Sequence, residues 1–239
     1  MSKVIVITGP TAVGKTELSI KLAKILNGEI INADSMQIYK GMNIGTNKIK
    51  ENEKCGIVHH LFDIKELDED YNVYDYQRDG RALIEDITER GKVPVLVGGS
   101  GLYLNALLYD YSFRDKNSGN NKLLFDVVFI GLTMERALLY NRINLRVHQM
   151  IDDGLIEEVK TLYEKYPTSR ALNTAIGYKE VISYLNEELD LEETTELIKQ
   201  HTRNFAKRQY TWFNNKLPIT WFDVTDAELT EKVCNKIKT

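Results

Sequence analysis

The stretch KVIVITGPTAVGKTELSIKLAKIL, residues 3–26, decides the fold. Its apolar start predicts a buried strand, and Lys15 to Leu26 has the periodicity of a helix. Between them, GPTAVGKT at residues 9–16 fits the phosphate-binding P-loop pattern without a mismatch. Backbone N–H groups of such a loop hold phosphate oxygens, Lys15 neutralises them, and the Thr16 hydroxyl is placed to bind Mg²⁺. A glycine turn with an incidental Lys-Thr pair is the less favoured interpretation.

The rest of the chain continues the alternation of strands and helices. Further strands are predicted at 28–34, 93–99 and 124–133, with a helix from Tyr74 to Arg90. From Met134 onward the pattern becomes helical, and PITWFDV near the end is a short final strand. We therefore predict an α/β fold, a P-loop NTPase-like doubly wound parallel sheet flanked by helices, with a helical C-terminal part, in one domain over 1–239.

Composition narrows the class of protein. The 239 residues are 43% hydrophobic and 28% charged, which is ordinary for a globular protein. A net charge of -4 argues against a generic polyanion binder, so any nucleic-acid surface must be a local basic patch. Cys55 and Cys234 are isolated and form neither a metal motif nor a disulfide framework. With no targeting pattern and no apolar segment of membrane length, we expect a cytoplasmic enzyme that is a monomer and binds no membrane.

Polar residues follow two of the predicted strands. Asp34 ends the second strand, and Ser35 and Gln37 add groups suited to the edge of a base. Because the carboxyl ends of parallel strands border the ligand crevice, Asp34 should lie near the phosphate site. It could be a general base, a partner of Mg²⁺ or a helix N-cap. Ser100, within the glycine-rich segment 98–101, offers a hydroxyl at the same edge, although a simple turn is the alternative.

Arginines recur on the helix that follows the fourth strand. Arg142 and Arg146 are four residues apart and should share one face, opposite Ile143, Val147 and Met150. Two like charges at this spacing indicate either an anion site or a solvated surface.

A second basic pattern lies near the C-terminus. Lys199, Arg203 and Lys207 recur every four residues, with Arg208 beside them, while Ile198, Phe205 and Trp212 should pack inward. The result is a basic stripe on an acidic protein, which suits contact with a phosphate backbone. An ordinary solvated helix is the alternative.

Two short segments carry no motif of their own. His59-His60 has no partner at metal-ligand spacing, so we favour a role in structure or substrate positioning over a metal site. KNSGNNK, residues 116–122, has the composition of a polar surface loop.

Taken together, these stretches resemble the tRNA dimethylallyltransferase (tRNA isopentenyltransferase) family. The resemblance rests on GPTAVGKT, INADSMQIY, GTNK, HHLFDI, VGGSGLY, INLRVHQMIDDGLIEEV, AIGYKE and TRNFAKRQYTWF. They occur in family order and cover nearly the whole chain. The resemblance implies that the P-loop holds the pyrophosphate of dimethylallyl diphosphate, and that the prenyl group goes to N6 of adenine 37 beside the anticodon.

The resemblance also implies a role for each site residue. The catalytic residues would be Asp34 as general base, Ser100 on the adenine side, where the family usually has Thr, and Arg146 on the departing pyrophosphate. The diphosphate would be bound by Gly9, Pro10, Thr11, Ala12, Val13, Gly14, Lys15, Thr16 and Arg142, with Thr16 also holding Mg²⁺. The anticodon stem-loop would be bound by Asp34, Ser35, Met36, Gln37, Ser100, Ala175, Ile176, Gly177, Tyr178, Lys179, Arg203, Lys207 and Arg208.

The chain departs from the family at residues 116–122. Members usually carry a helical insertion there that grips the anticodon stem-loop, and here a short polar loop spans the gap. This favours, as an alternative, an adenylate dimethylallyltransferase acting on free AMP, ADP or ATP. A P-loop small-molecule kinase and a non-catalytic RNA-binding module are the remaining alternatives. AIGYKE and the basic helix favour tRNA as the substrate.

Overall fold

A parallel sheet forms the centre of the molecule in a computed structural model, which describes residues 3–111 and 119–239. Within these residues the sheet has six strands in the order β3-β2-β4-β1-β7-β8. A separate antiparallel ribbon pairs β5 with β6. The strands are β1 (Lys3–Thr8), β2 (Gly28–Asn32), β3 (His59–His60), β4 (Val93–Val97), β5 (Tyr109–Tyr111), β6 (Gly119–Leu123), β7 (Asp126–Thr133) and β8 (Thr220–Asp223).

Helices cover both faces of the sheet and form a lobe beside its carboxyl edge. They are α1 (Lys15–Leu26), α2 (Val73–Glu89), α3 (Gly101–Leu108), α4 (Arg136–Asp152), α5 (Leu155–Lys165), α6 (Arg170–Thr174), α7 (Tyr178–Leu185), α8 (Leu191–Lys216) and α9 (Leu229–Lys238). None of the helices in the described part of the chain has the length and apolarity that crossing a membrane requires. The α/β prediction, with a parallel sheet flanked by helices, is confirmed.

Three apolar clusters make up the core. The central strand β1 contributes to the two clusters on opposite faces of the sheet, and its residues Val4 to Ile7 are fully buried. This explains why its sequence is continuously apolar rather than alternating. The third cluster lies under the helical lobe, where α4, α5 and α7 meet. Helix α8 joins all three, because Ile198, Ala206 and Phe213 each pack in a different cluster.

Most predicted boundaries agree with the structure to within two residues. Strand β2 ends at Asn32 rather than Asp34, a difference of two residues that has a clear cause. The Asn32 side chain accepts a hydrogen bond from the Asp34 N–H and donates to the Asp34 carbonyl, so it turns the chain out of the sheet. Helix α9 had not been predicted.

The predicted polar loop at 116–122 falls partly outside the described residues. Positions 116–118 are not described, and positions 119–122 belong to β6 rather than to a loop. Pairing with β5 gives the backbone of this segment hydrogen-bond partners, which a free loop would have to find in water.

Candidate active site

The phosphate-binding loop, residues 9–16, connects β1 to α1 at the carboxyl edge of the sheet. Gly9 and Gly14 take positive φ angles of 137° and 108°, which favour glycine. A Cβ added at Gly14 would meet no atom within 4 Å, so the loop has open space beside it. Thr16 is exposed in the first turn of α1. The backbone therefore forms a cradle of the kind that the sequence predicts.

Lys15 lies across this loop. Its ammonium donates to the carbonyls of Gly9 at 3.0 Å and Pro10 at 2.8 Å. Burial lowers the pKa of Lys15 to about 8, against the opposing effect of Asp34, and Arg146 lowers it further. An ammonium has three donors, so Lys15 can still donate to a phosphate oxygen.

Asp34 is fixed in the turn that follows β2. Its backbone N–H donates to the Asn32 side chain, and one carboxylate oxygen accepts from the Met36 N–H at 2.9 Å. Asp34 does cap the backbone, but of a turn rather than a helix, because no helix begins here. The carboxylate also acts on the site electrostatically, since it raises the pKa values of Lys15 and Arg146 against their burial.

Ser100 links two strand ends rather than occupying a simple turn. Its hydroxyl accepts from the Ser35 N–H at 3.0 Å and lies 3.3 Å from the Ser35 hydroxyl. The loop after β4 is thereby tied to the loop after β2, directly beside Asp34.

The two arginines of α4 occupy different environments. Arg146 donates to the Thr11 hydroxyl at 3.2 Å, and its Nε is buried without a hydrogen-bond partner among the described residues. Burial lowers the pKa of Arg146 to about 10. The prediction that Arg146 lies opposite Ile143 and Val147 is wrong, because all three line one cavity. Arg142 is exposed.

One cavity of about 330 Å³ brings the three predicted catalytic residues together with part of the predicted tRNA-binding set. Its predicted lining residues are Thr11, Asp34, Ser35, Met36, Ser100, Arg146, Ala175, Ile176, Gly177, Lys179 and Arg208. An apolar wall completes it, formed by Ile143, Val147, Met150, Ile198 and Phe205. A cationic end, a carboxylate and an apolar wall thus share one enclosed space.

Two residues predicted to contact RNA have structural partners. The Gln37 amide donates to the Thr46 carbonyl at 2.9 Å. Tyr178 is fully buried, and its hydroxyl donates to Glu158 at 2.6 Å. Its position does not support the prediction that it contacts RNA, because its ring packs under Gly45 and holds the loop there.

The predicted basic stripe on α8 is interrupted. Lys199 is buried and pairs with Glu196 at 2.6 Å, and Arg203 donates to Asn144 on α4 at 2.7 Å. Lys207 and Arg208 are exposed. The prediction of a continuous stripe is wrong because residues four apart do not stay on one face of a helix that has 3.6 residues per turn. Only the C-terminal half of the stripe remains available to a polyanion.

The histidine pair belongs to the structure of the sheet. His60 lies 2.7 Å from the buried Glu29, which also binds Arg90 and Lys92. Glu29 lies near the start of β2, at the end of the sheet opposite the cavity. The described residues contain no cluster of three or more His, Cys, Asp or Glu that could hold a metal ion.

Sequence reasoning missed two residues that hold the site loops. Glu158 on α5 accepts from the backbone N–H groups of residues 43–45, and Gln209 on α8 bridges two loops of the cavity. Each is a polar residue on a buried helix face: Gln209 lies three residues after Ala206 and four before Phe213. A polar side chain at a buried helix position was the signal in the sequence, because such a side chain needs a hydrogen-bond partner.

Comparisons with known proteins agree on one family. The sequence profile described as IPP transferase matches residues 37–123 and 112–216. The tRNA dimethylallyltransferase of Anoxybacillus flavithermus is 45% identical over 294 residues, covering 98% of this chain and 94% of that protein. The crystal structure of tRNA delta(2)-isopentenylpyrophosphate transferase from Staphylococcus epidermidis superposes with a TM-score of 0.91 at 36% identity, covering 100% of this chain and 99% of that one. A eukaryotic dimethylallyltransferase acting on tRNA gives a TM-score of 0.85 at 28% identity over 98% of this chain and 78% of that chain.

Proposed function

The chain belongs to the tRNA dimethylallyltransferase (IPP transferase) family, and from that premise we propose how it moves a dimethylallyl group from dimethylallyl diphosphate to N6 of adenine 37 of tRNA. The observation that carries the mechanism is that Thr11, Arg146, Asp34 and Ser100 line one cavity. A diphosphate ester and a flipped adenine can meet there with an apolar wall beside the prenyl group.

The diphosphate end is built for charge that grows during the reaction. As the allylic C1–O bond breaks, its electron pair goes to the leaving pyrophosphate. Burial lowers the pKa values of Lys15 and Arg146, and a bound anion would favour the charged form of both side chains. Backbone N–H groups of loop residues 12–16, at the N-terminus of α1, supply further donors.

Thr16 fits a role in holding Mg²⁺. Magnesium usually takes one or two protein oxygens and completes its shell with phosphate oxygens and water. Thr16 is exposed, two residues after Gly14, where an added Cβ would meet no atom within 4 Å. When bound there, the ion would add positive charge to the leaving pyrophosphate.

Asp34 is the general base in this proposal. The N6 amine of adenine is a poor nucleophile, because its lone pair is delocalised into the ring. As N6 forms its bond to C1, Asp34 takes the N6 proton, so no charge accumulates on the adenine. The hydrogen bond from the Met36 N–H holds the carboxylate, and the Asn32 side chain holds the backbone of Asp34. Ser100 keeps the neighbouring loop against Ser35 and faces the same cavity.

The RNA side of the site is the surface around Lys207 and Arg208. Arg208 is exposed and also lines the cavity, so it is placed where the backbone of a flipped nucleotide would enter. Lys179 and Gly177, from the AIGYKE segment, line the same cavity.

We further propose that the ribbon β5–β6 stands where relatives carry an inserted RNA-gripping element. The alignment with the Anoxybacillus protein runs over 294 residues, whereas this chain has 239, so that relative has internal residues without a counterpart here. Affinity for RNA grows with the number of phosphates neutralised. The chain should therefore hold an anticodon stem-loop more weakly than a version with a family insertion grafted between Asp115 and Leu123. Equal affinity and equal salt dependence of the two proteins would contradict this.

The experiment that tests the function offers labelled dimethylallyl diphosphate with an anticodon stem-loop, full tRNA or AMP. We expect label on N6 of adenine 37 in RNA, located by nuclease digestion and mass spectrometry, and release of one pyrophosphate per transfer. Transfer to AMP in preference to RNA would instead make the protein an adenylate dimethylallyltransferase. Asp34→Asn is the matched control, because it preserves shape and removes the base.

A further inference from the structure

Gln209 connects the phosphate-binding loop to the glycine-rich loop after β4. Its Oε1 accepts from the Thr11 N–H at 2.9 Å, and its Nε2 donates to the Gly99 carbonyl at 3.0 Å. The side chain is 5% exposed. Both partners are backbone groups, one a donor and one an acceptor, so they fix which way the amide points.

We propose that Gln209 is a positioning residue for prenyl transfer, whose amide sets the separation between the phosphate-binding loop and the glycine loop, residues 98–101. This rests on the proposed function. Thr11 is in the phosphate-binding loop, and its hydroxyl accepts a hydrogen bond from Arg146. Gly99 directly precedes Ser100, which is tied to Ser35 beside Asp34. The Gln209 amide therefore links the part of the site that would hold the leaving pyrophosphate to the part that contains Asp34.

The packing at Gly99 holds the Gln209 amide in its position. A Cβ added at Gly99 would lie 2.1 Å from Gln209 Nε2, so the glycine gives the amide its place. The Thr11 N–H is already used by Gln209, and it is therefore a structural donor rather than one aimed at phosphate. A side chain with only acceptors or only donors could not serve both backbone groups.

The position of Gln209 on α8 adds a link to RNA. It directly follows Lys207 and Arg208, which are exposed on the same helix. Because a helix moves as a rigid element over so short a distance, RNA seated on these two side chains and the amide between the loops share one frame. Contact with RNA and the separation of the two loops therefore both depend on helix α8.

The test measures kcat and KM for each substrate in wild type, Gln209→Met and Gln77→Met. Gln77 is a matched control: it is also buried, and its amide donates to the Ala106 and Tyr111 carbonyls in another part of the fold. We expect Gln209→Met to lower kcat about 10²-fold with both KM values little changed, because misplacement by about 1 Å costs that much. Gln77→Met should keep the wild-type kcat.

A second variant separates positioning from stability. Gln209→Glu keeps an acceptor for the Thr11 N–H but sets an oxygen against the Gly99 carbonyl. A protonated glutamic acid can donate there, and burial raises the pKa of a carboxyl group. The activity of Gln209→Glu relative to wild type should therefore rise as the pH is lowered from alkaline to mildly acidic.

Each outcome decides one claim. A wild type that transfers no prenyl group overturns the proposed function itself. An active wild type with an equally active Gln209→Met, an equal loss of kcat in Gln77→Met, or a Gln209→Glu ratio independent of pH overturns the inference on Gln209 and leaves the proposed function standing.

Discussion

Replacing Gly98 by alanine should damage catalysis through the backbone beside Asp34. An added Cβ would lie 2.1 Å from the carbonyl oxygen of Ala33 and 2.2 Å from its carbonyl carbon. Real Cβ atoms essentially never approach another heavy atom closer than 3.0 Å, so the strand ends of β2 and β4 must separate. Ala33 is held by its N–H to the Val97 carbonyl, and its carbonyl accepts from Ser100. The displacement therefore reaches both Asp34 and Ser100.

The expected magnitudes follow from that displacement. Overpacking of a tight site costs about 1–3 kcal/mol of unfolding free energy. A misplacement of about 1 Å in the reacting geometry costs about 10²-fold in rate. Gly98→Ala should thus show both a lower stability and a kcat about two orders of magnitude below wild type.

The matched control is Gly28→Ala, at the other end of the same two strands. There an added Cβ would lie 2.8 Å from the carbonyl oxygen of Val93, the residue that Gly28 pairs with in the sheet. This variant should lose stability and keep its kcat. Both are measured by chemical denaturation and by prenyl transfer at a temperature where each retains wild-type circular dichroism. A folded Gly98→Ala with normal kcat would refute the reasoning.

Three other predictions concern single groups of the site. Asp34→Asn should lower kcat about 10²- to 10⁴-fold in single-turnover transfer while pyrophosphate still binds, and near-normal chemistry would remove Asp34 from its role. Affinity for inorganic pyrophosphate, followed by calorimetry, should fall as the pH rises through about 8, because Lys15 loses its proton there, and binding near that pH should take up protons. In Lys15→Arg that fall should disappear, and an unchanged profile would assign it to another group. Replacing Lys207 and Arg208 by alanine should reduce the salt dependence of stem-loop binding by about one phosphate contact each without changing diphosphate affinity.

Local signals were enough to predict the centre of the fold. The segment from β1 to α1 carries its own strand, loop and helix pattern, and all its boundaries agree with the sequence prediction. Strand β2 is shorter than predicted because the Asn32 side chain, rather than a neighbouring strand, bonds the backbone of Asp34. Helix α9 was not predicted because only Val233 and Ile237 are buried on it, and so narrow an apolar face gives a weak periodic pattern.

For the candidate site, the sequence predicted which residues lie together better than it predicted how the helices around them pack. Asp34 and Ser100 follow from the rule that strand ends of a parallel sheet meet. The burial of Lys199 and the inward position of Arg146 depend on how α8 and α4 pack, which charge spacing along one helix does not report. Gln209 acts on residues 198 and 110 positions away in the chain, a distance at which sequence pattern carries little information.

The membership of α8 in all three apolar clusters has a consequence for how the protein opens to solvent. Ile198, Ala206 and Phe213 lie on one continuous helix, so the lobe beside the site cannot unfold and leave the sheet intact without breaking that helix. Amide hydrogens along its middle should therefore exchange with deuterium only through global opening, with one common free energy of opening. The site loops would then be held by an element whose protection from exchange equals that of the whole molecule.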